Sequence, residues 1–293
     1  MDGTADDSVV LLTGGTSGIG AVAARELART GATVALVGRD ERRGRRLADE
    51  TTASTPGTVR FHGVDLATRD AVRRLATDVA SAYDRLDVLA HNAGLSTDER
   101  TITDDGVELT FAVNHLAPYL LTHELLDLLR ASAPARVVVT ASAVHRRGEL
   151  AFDDLRMERG YSAIDAYARS KLANVAFTLE LADRLGGDDA DVVANCFHPG
   201  FVPSTRLFRD AGLRTRLFAR IAAAVPGIGT TPEAGADRLV ELATAPAYGT
   251  RSGRYVGADG PETPAQSATD PEFRERLWRV SADLVGIDPD WPS

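Results

Sequence analysis

Between Val9 and Val256, compact apolar runs rich in β-branched residues alternate with longer segments whose apolar positions recur at helical spacing. Val9-Val10-Leu11-Leu12, Thr33-Val34-Ala35-Leu36-Val37, a run over 59–64, Val88-Leu89-Ala90, Val137-Val138-Val139-Thr140 and a run over 192–197 each suit a strand buried on both faces. Arg254-Tyr255-Val256 supplies a last one. Stripes such as Ile19, Val22, Ala23 and Leu27, or Val72, Leu75 and Val79, read as amphipathic helices between them. Further helices are expected from Glu41 to Glu50, from Arg69 to Ala82 and from about Thr103 to Leu129. A strand followed by a helix and then another strand demands a right-handed crossover, which yields a parallel sheet with helices on both faces. The chain is therefore expected to be α/β: one domain over residues 1–293, doubly wound about a parallel sheet of about seven strands. The parts least tied to that sheet are 201–231 and the tail after Gly257.

The chain's 293 residues, 44% of them hydrophobic, suffice for one large core without a second domain. A net charge of -9, with no basic stretch interleaved with aromatics, argues against a nucleic-acid partner because the surface repels phosphates. Cys196 is the single cysteine, so an internal disulfide framework is excluded, and its apolar strand makes it an ordinary buried hydrophobe. The start of the chain lacks a charged-then-apolar leader, and the cytoplasm is the expected compartment. No run reaches the ~18 apolar residues of a membrane span; the amphipathic stretch from Leu213 to Gly229 reads as a lid rather than a membrane anchor. His91, His115, His145 and His198 lack metal-ligand spacing, and no metal is expected.

Two local patterns carry chemistry. The turn Gly14-x-x-x-Gly18-x-Gly20 lies between a buried strand and a helix, where glycine lets the backbone approach phosphates and the helix N-terminus offers unpaired N–H groups. Farther on, Tyr167 and Lys171 stand one helical turn apart and share a face. A cation beside a phenol stabilises the phenolate and brings its pKa toward the working range, so the pair reads as a proton-transfer device. Lys171 is the only lysine in the chain.

With Asn92-Ala93-Gly94 after the fourth strand, Asn114 in a helix, Ser142 after the fifth strand and Pro199-Gly200 after the sixth, these patterns resemble the short-chain dehydrogenase/reductase family, in its order and from Val9 to about Gly257. Ser142-Ala143-Val144-His145, Ser170-Lys171-Leu172-Ala173-Asn174 and His198-Pro199-Gly200 are most similar to the branch containing retinol dehydrogenases and related carbonyl reductases. The resemblance implies a Rossmann fold with strand order 3-2-1-4-5-6-7 and hydride transfer to or from a nicotinamide. Tyr167 is then the general acid/base, Ser142 stabilises the substrate oxygen, Lys171 lowers the tyrosine pKa and holds the ribose, and Asn114 positions a water. Cofactor contacts are expected from Gly14, Thr16, Ser17, Gly18, Ile19 and Gly20 in the turn, and from Asp65 and Leu66 near the adenine. Asn92, Ala93 and Gly94 would line the ribose, with Pro199, Gly200 and Val202 at the nicotinamide.

Gly38 stands where an NAD-selecting acid belongs and Arg39 resembles the 2′-phosphate ligand of NADP enzymes, so NADP(H) is favoured, with NAD(H) as the alternative. The flap would bring Leu207, Phe208, Leu213, Leu217, Phe218, Ile221 and Val225 over a hydrophobic ketone, aldehyde or alcohol. The family also implies a homodimer or homotetramer. The alternative function is a cofactor-binding sensor or scaffold without turnover, which would be expected to lose Ser142, Tyr167 or Lys171.

Overall fold

A computed structural model describes residues 7–200 and 230–292. Seven parallel strands, β1 (Val9–Thr13), β2 (Thr33–Gly38), β3 (Thr58–Gly63), β4 (Val88–His91), β5 (Ala135–Thr140), β6 (Val192–Phe197) and β7 (Arg254–Gly257), lie in the order 3-2-1-4-5-6-7. An eighth, β8 (Gly260–Pro261), pairs antiparallel with β7 at the edge and is too short to leave a pattern in sequence. The chain crosses the middle of the sheet in register, with Leu11 opposite both Ala35 and Leu89.

Successive side chains of a strand point to opposite faces, and β1 divides its residues accordingly. Val10 and Leu12 pack with α1 (Gly18–Arg29) through Ala23, Ala24 and Leu27. Leu11 instead packs with α3 (Arg69–Ala82), a helix whose bounds coincide with those expected, through Leu75 and Val79. The helix α2 (Glu41–Thr52) runs two residues past its expected end.

The long helix expected from Thr103 begins instead at Leu109. Thr103 and Gly106 close a turn, with Gly106 at φ +78°, and Glu108 caps the helix by accepting from the amides of Thr110 at 2.7 Å and Phe111 at 3.0 Å. A first turn, α4 (Leu109–Phe111), runs into a π-helical turn over Ala112–Leu116 and then into α5 (Ala117–Ala131). Tyr167 and Lys171 lie on α6 (Ala163–Leu185), which ends at Gly186 in the left-handed conformation. Farther along, α7 (Pro232–Thr244) joins the α1 face.

The tail after Gly257 is bound far more tightly than its sequence suggests. Its helix α8 (Pro271–Val285) buries Trp278 to 1% exposure in the core beneath α5 and α6. The indole N–H of Trp291 donates to the Tyr119 hydroxyl at 2.9 Å, and that of Trp278 to the Pro289 carbonyl at 2.9 Å. Charged neighbours hide the apolar stripe, but two buried tryptophans dominate the energetics because each removes a large area from water. Among the described residues no helix is long and apolar enough to cross a membrane.

Candidate active site

The C-terminal ends of β1, β4, β5 and β6 open into one cleft of about 520 Å3. At one end lies the glycine turn. Gly14 (φ +67°) sits so close to the loop after β4 that a Cβ would stand 2.6 Å from the Ala93 Cα, and a Cβ on Gly20 would meet the Gly14 carbonyl oxygen at 2.5 Å. Ser17 precedes α1 in an extended conformation and its side chain makes no capping bond, so the first-turn N–H groups of α1 remain for a ligand.

Two short polar residues staple the turn to its neighbour. The Thr13 hydroxyl accepts from the amides of Asn92 and Ala93, both at 3.1 Å, while the Asn92 amide donates to the carbonyls of Thr13 and Gly14, both at 3.2 Å. Asn92 therefore lines the cleft with its side-chain N–H groups already committed to shaping the turn. Thr13, at the end of an apolar strand, was not among the expected site residues.

At the lip of the cleft, a Cβ on Gly38 would stand 2.6 Å from the Thr16 Cγ2, so the threonine fills the space where a larger residue 38 would project. Arg39 lies beside it and pairs loosely with Asp65 at 3.8 Å, the side chains being 47% and 56% exposed. An exposed pair at that distance contributes little and opens readily. Asp65 also accepts from the Ala67 amide at 3.2 Å.

The other end of the cleft holds Ser142, Tyr167 and Lys171. The Ser142 hydroxyl lies near enough to the Tyr167 phenol to lower its pKa, and it accepts from the Val144 amide at 3.3 Å. The Lys171 ammonium donates to the Thr140 carbonyl at 2.7 Å and lies 5.6 Å from the centre of the Tyr167 ring. The electrostatics differ from the sequence expectation. Burial pushes the Tyr167 phenol up to about 12, with the Ser142 hydroxyl pulling it back only in part, and the same burial pushes the Lys171 ammonium down to about 8. Burial of Lys171 and partial burial of Tyr167 penalise the charged form of each group, and the ammonium's hydrogen bond goes to a carbonyl rather than to the phenol.

Asn114 stands behind the cleft rather than in it. It is fully buried in the π-helical turn, where its Oδ1 accepts from the Leu95 amide at 2.8 Å and its Nδ2 donates to the Leu95 carbonyl and the Ser170 hydroxyl, both at 3.0 Å. Leu95, which it fixes, does line the cleft. Among the other expected cofactor contacts, Thr16, Ser17, Gly18, Ile19, Leu66, Gly94, Pro199 and Gly200 all border the cleft. Val202 and the flap residues from Phe201 to 229 lie outside the described residues, while Thr231 caps α7.

The buried histidines are engaged with the protein: His91 with Thr122 at 2.8 Å, His115 with Ser281 at 2.8 Å, and His145 with Ser142 and Ala265. Cys196 is buried, and burial pushes its thiol up to about 12, which leaves it inert. Asp153 and Asp154 pair with Arg159 in the insert before α6, outside the cleft lining. Arg169, between Tyr167 and Lys171 in sequence, is buried and bonded to Glu108; an arginine in a polar-looking motif gives no sequence signal of burial.

The family model "short chain dehydrogenase" matches residues 8–213. Retinol dehydrogenase 14 of Mus musculus is 39% identical, with an alignment covering 95% of this chain and 86% of its own. The crystal structure of a protein from Mycobacterium paratuberculosis is similar over 96% of this chain and 94% of its own, at 31% identity and a TM-score of 0.76. A Pseudomonas aeruginosa RhlG/NADP active-site complex is similar over 88% of this chain and 97% of its own, at 26% identity and a TM-score of 0.69.

Proposed function

The chain belongs to the short chain dehydrogenase family of NAD(P)-dependent oxidoreductases, and from that premise we propose that it reduces a hydrophobic aldehyde or ketone with NADPH. The observation that carries the reading is the cleft itself, which has the glycine turn and the uncapped N-terminus of α1 at one end and Ser142, Tyr167 and Lys171 at the other. The residues present fit a dinucleotide. Side chains are excluded at Gly14 and Gly20, and the N-terminus of α1 is left uncapped. When bound, the nicotinamide supplies the hydride.

The protein supplies the proton and the charge stabilisation. With its pKa raised to about 12, Tyr167 holds its proton at neutral pH, the form needed to protonate an oxygen that becomes basic as hydride arrives. Ser142, which lines the cleft beside Tyr167, would donate to the same oxygen and stabilise its developing charge. Lys171, anchored on the Thr140 carbonyl, places a positive charge behind the tyrosine and offers further donors to ribose hydroxyls.

NADP is favoured because Thr16 occupies the space an acid at position 38 would need, while Arg39 stands at the lip in a weak, exposed pair. The NADP named with the Pseudomonas relative supports this choice. Substrate character follows from Ile164, 44% exposed and the sole exposed large hydrophobic among the described residues. It lies one turn before Tyr167 and lines the cleft with Leu95, Val113 and Val144. An apolar wall beside the proton donor favours an apolar carbonyl, and the retinol dehydrogenases among the relatives support an elongated one.

The test is NADPH consumption with aldehydes of increasing alkyl length, ending with retinaldehyde. Values of kcat/KM that rise with apolar length support the reading. Preference for short or polyhydroxylated aldehydes overturns the apolar assignment.

A further inference from the structure

Three residues beyond Ser142, His145 is fully buried with both ring nitrogens engaged. Its Nδ1 stands 2.7 Å from the Ser142 carbonyl oxygen and its Nε2 stands 3.0 Å from the backbone nitrogen of Ala265. A carbonyl can only accept and an amide N–H can only donate, so a neutral ring with its proton on Nδ1 is the one form that satisfies both partners. Burial lowers the histidine pKa and favours that neutral form; the Ser142 carbonyl and Glu262 act in the opposite sense, and Arg146 and His198 reinforce the burial.

The ring is held from several elements at once. Tyr255 on β7 packs against it with ring centroids 4.9 Å apart and its hydroxyl 3.5 Å from Nδ1. His198 also stacks on Tyr255, with centroids 5.5 Å apart, and reaches Glu262 at 3.2 Å. Arg146 also pairs with Glu262, at 3.5 Å, and donates to the Thr263 carbonyl at 2.7 Å.

We propose that His145 is a positioning residue for the reaction: its Nδ1–H fixes the Ser142 carbonyl, and with it the hydroxyl that lines the cleft beside Tyr167, while Nε2 ties that turn to the segment following β8. This rests on the reading of Ser142 as the donor to the substrate oxygen. Ser142 opens a five-residue 3-10 turn, Ala143–Arg147, in which Ala143, Arg146 and Arg147 are exposed. So short an element has few internal hydrogen bonds to fix its first residue, and His145 is the buried side chain that anchors it. The C-terminal segment thereby becomes a strut of the active site although it contributes no residue to the lining of the cleft.

The two nitrogens can be tested separately. Asparagine places an amide near the Nδ1 position and can donate to the Ser142 carbonyl. Glutamine reaches the Nε2 position and can accept from Ala265 without serving Ser142. The variants H145A, H145N and H145Q are compared with S142A, measuring kcat, NADPH affinity by nicotinamide fluorescence, and Tm.

H145A and H145Q are expected to lower kcat on the order of 10- to 100-fold, as displacement of a catalytic group does, with NADPH affinity held within about twofold. H145N is expected to restore most of the turnover lost in H145A while losing as much Tm as H145Q. If kcat follows Tm across all three variants, or stays at the wild-type value in all three while S142A is inactive, His145 is merely structural and the proposal is overturned. Wild-type turnover in S142A would overturn the assignment of Ser142, and the proposal with it.

Discussion

Arg169 and Glu108 form an ion pair at 3.0 Å with both side chains almost completely buried, joining the helix of Tyr167 and Lys171 to the capped start of the helix that carries Asn114. Glu108 accepts two backbone amides in addition, and Arg169 donates to the Leu155 carbonyl at 2.9 Å and lies over the Phe111 ring. Removing one partner strands a buried charge, which costs about 3–5 kcal/mol. E108A and R169A are therefore expected to unfold at much lower denaturant concentration than wild type, while the double replacement by apolar residues recovers part of the loss. Urea titrations of the three variants check this; single variants as stable as wild type would contradict it.

Burying the Lys171 ammonium costs stability. Its ammonium titrates near 8 in the folded protein, against an ordinary value of 10.5 in the unfolded chain. Between those values the unfolded state binds more protons, so stability rises with pH across that window and the full penalty is present below pH 8. K171M is expected to lose turnover yet to be more stable than wild type at pH 7, on the order of 1–3 kcal/mol, with the difference shrinking as pH approaches 10. Paired calorimetric scans at pH 7 and pH 9.5 read the effect, and a K171M variant less stable than wild type at pH 7 would contradict it.

Cofactor choice is expected to respond to the lip of the cleft. R39A should weaken NADPH binding by about tenfold or more, the worth of a charge-assisted phosphate contact, and leave NADH nearly unchanged. G38D alone must displace the Thr16 side chain, so T16G combined with G38D is expected to raise NADH affinity more than G38D does. Fluorescence titration with both cofactors measures each variant; equal losses of NADPH and NADH in R39A would remove Arg39 from the account.

The tail makes a separate stability prediction. W278A opens a cavity beside Tyr119, Phe177 and Trp291, and truncating a buried aromatic of this size costs about 3–5 kcal/mol. A fall in Tm of less than a few degrees would show that α8 is only loosely docked.

The central architecture was legible because buried parallel strands write themselves as β-branched runs, and because Gly14, Gly18 and Gly20 follow the first of them directly. The bounds of α3 could be read to the residue since Thr68 caps it and its apolar stripe is regular. The sequence was opaque wherever side-chain burial contradicts polarity. Arg169 and Glu108 belong to residue types that usually stay in solvent, yet they lie in the core. The start of the helix over 109–131 was misplaced because Asp104, Asp105 and Gly106 form a turn inside a segment of otherwise helical spacing. The Tyr167 pKa was misjudged for a related reason. Spacing brings Lys171 to the same face, but only the folded structure shows that its ammonium bonds to Thr140 and that burial acts against the charged form of both groups.

The most direct measurement is steady-state turnover of Y167F beside its NADPH affinity, with an apolar aldehyde as substrate. If Tyr167 is the proton donor, kcat falls by about 10²–10⁴-fold, the usual range for removing a general acid, while nicotinamide fluorescence still reports binding near the wild-type Kd. Turnover within a few fold of wild type in a variant that binds NADPH normally would contradict the assignment of Tyr167, and with it the catalytic account of the cleft.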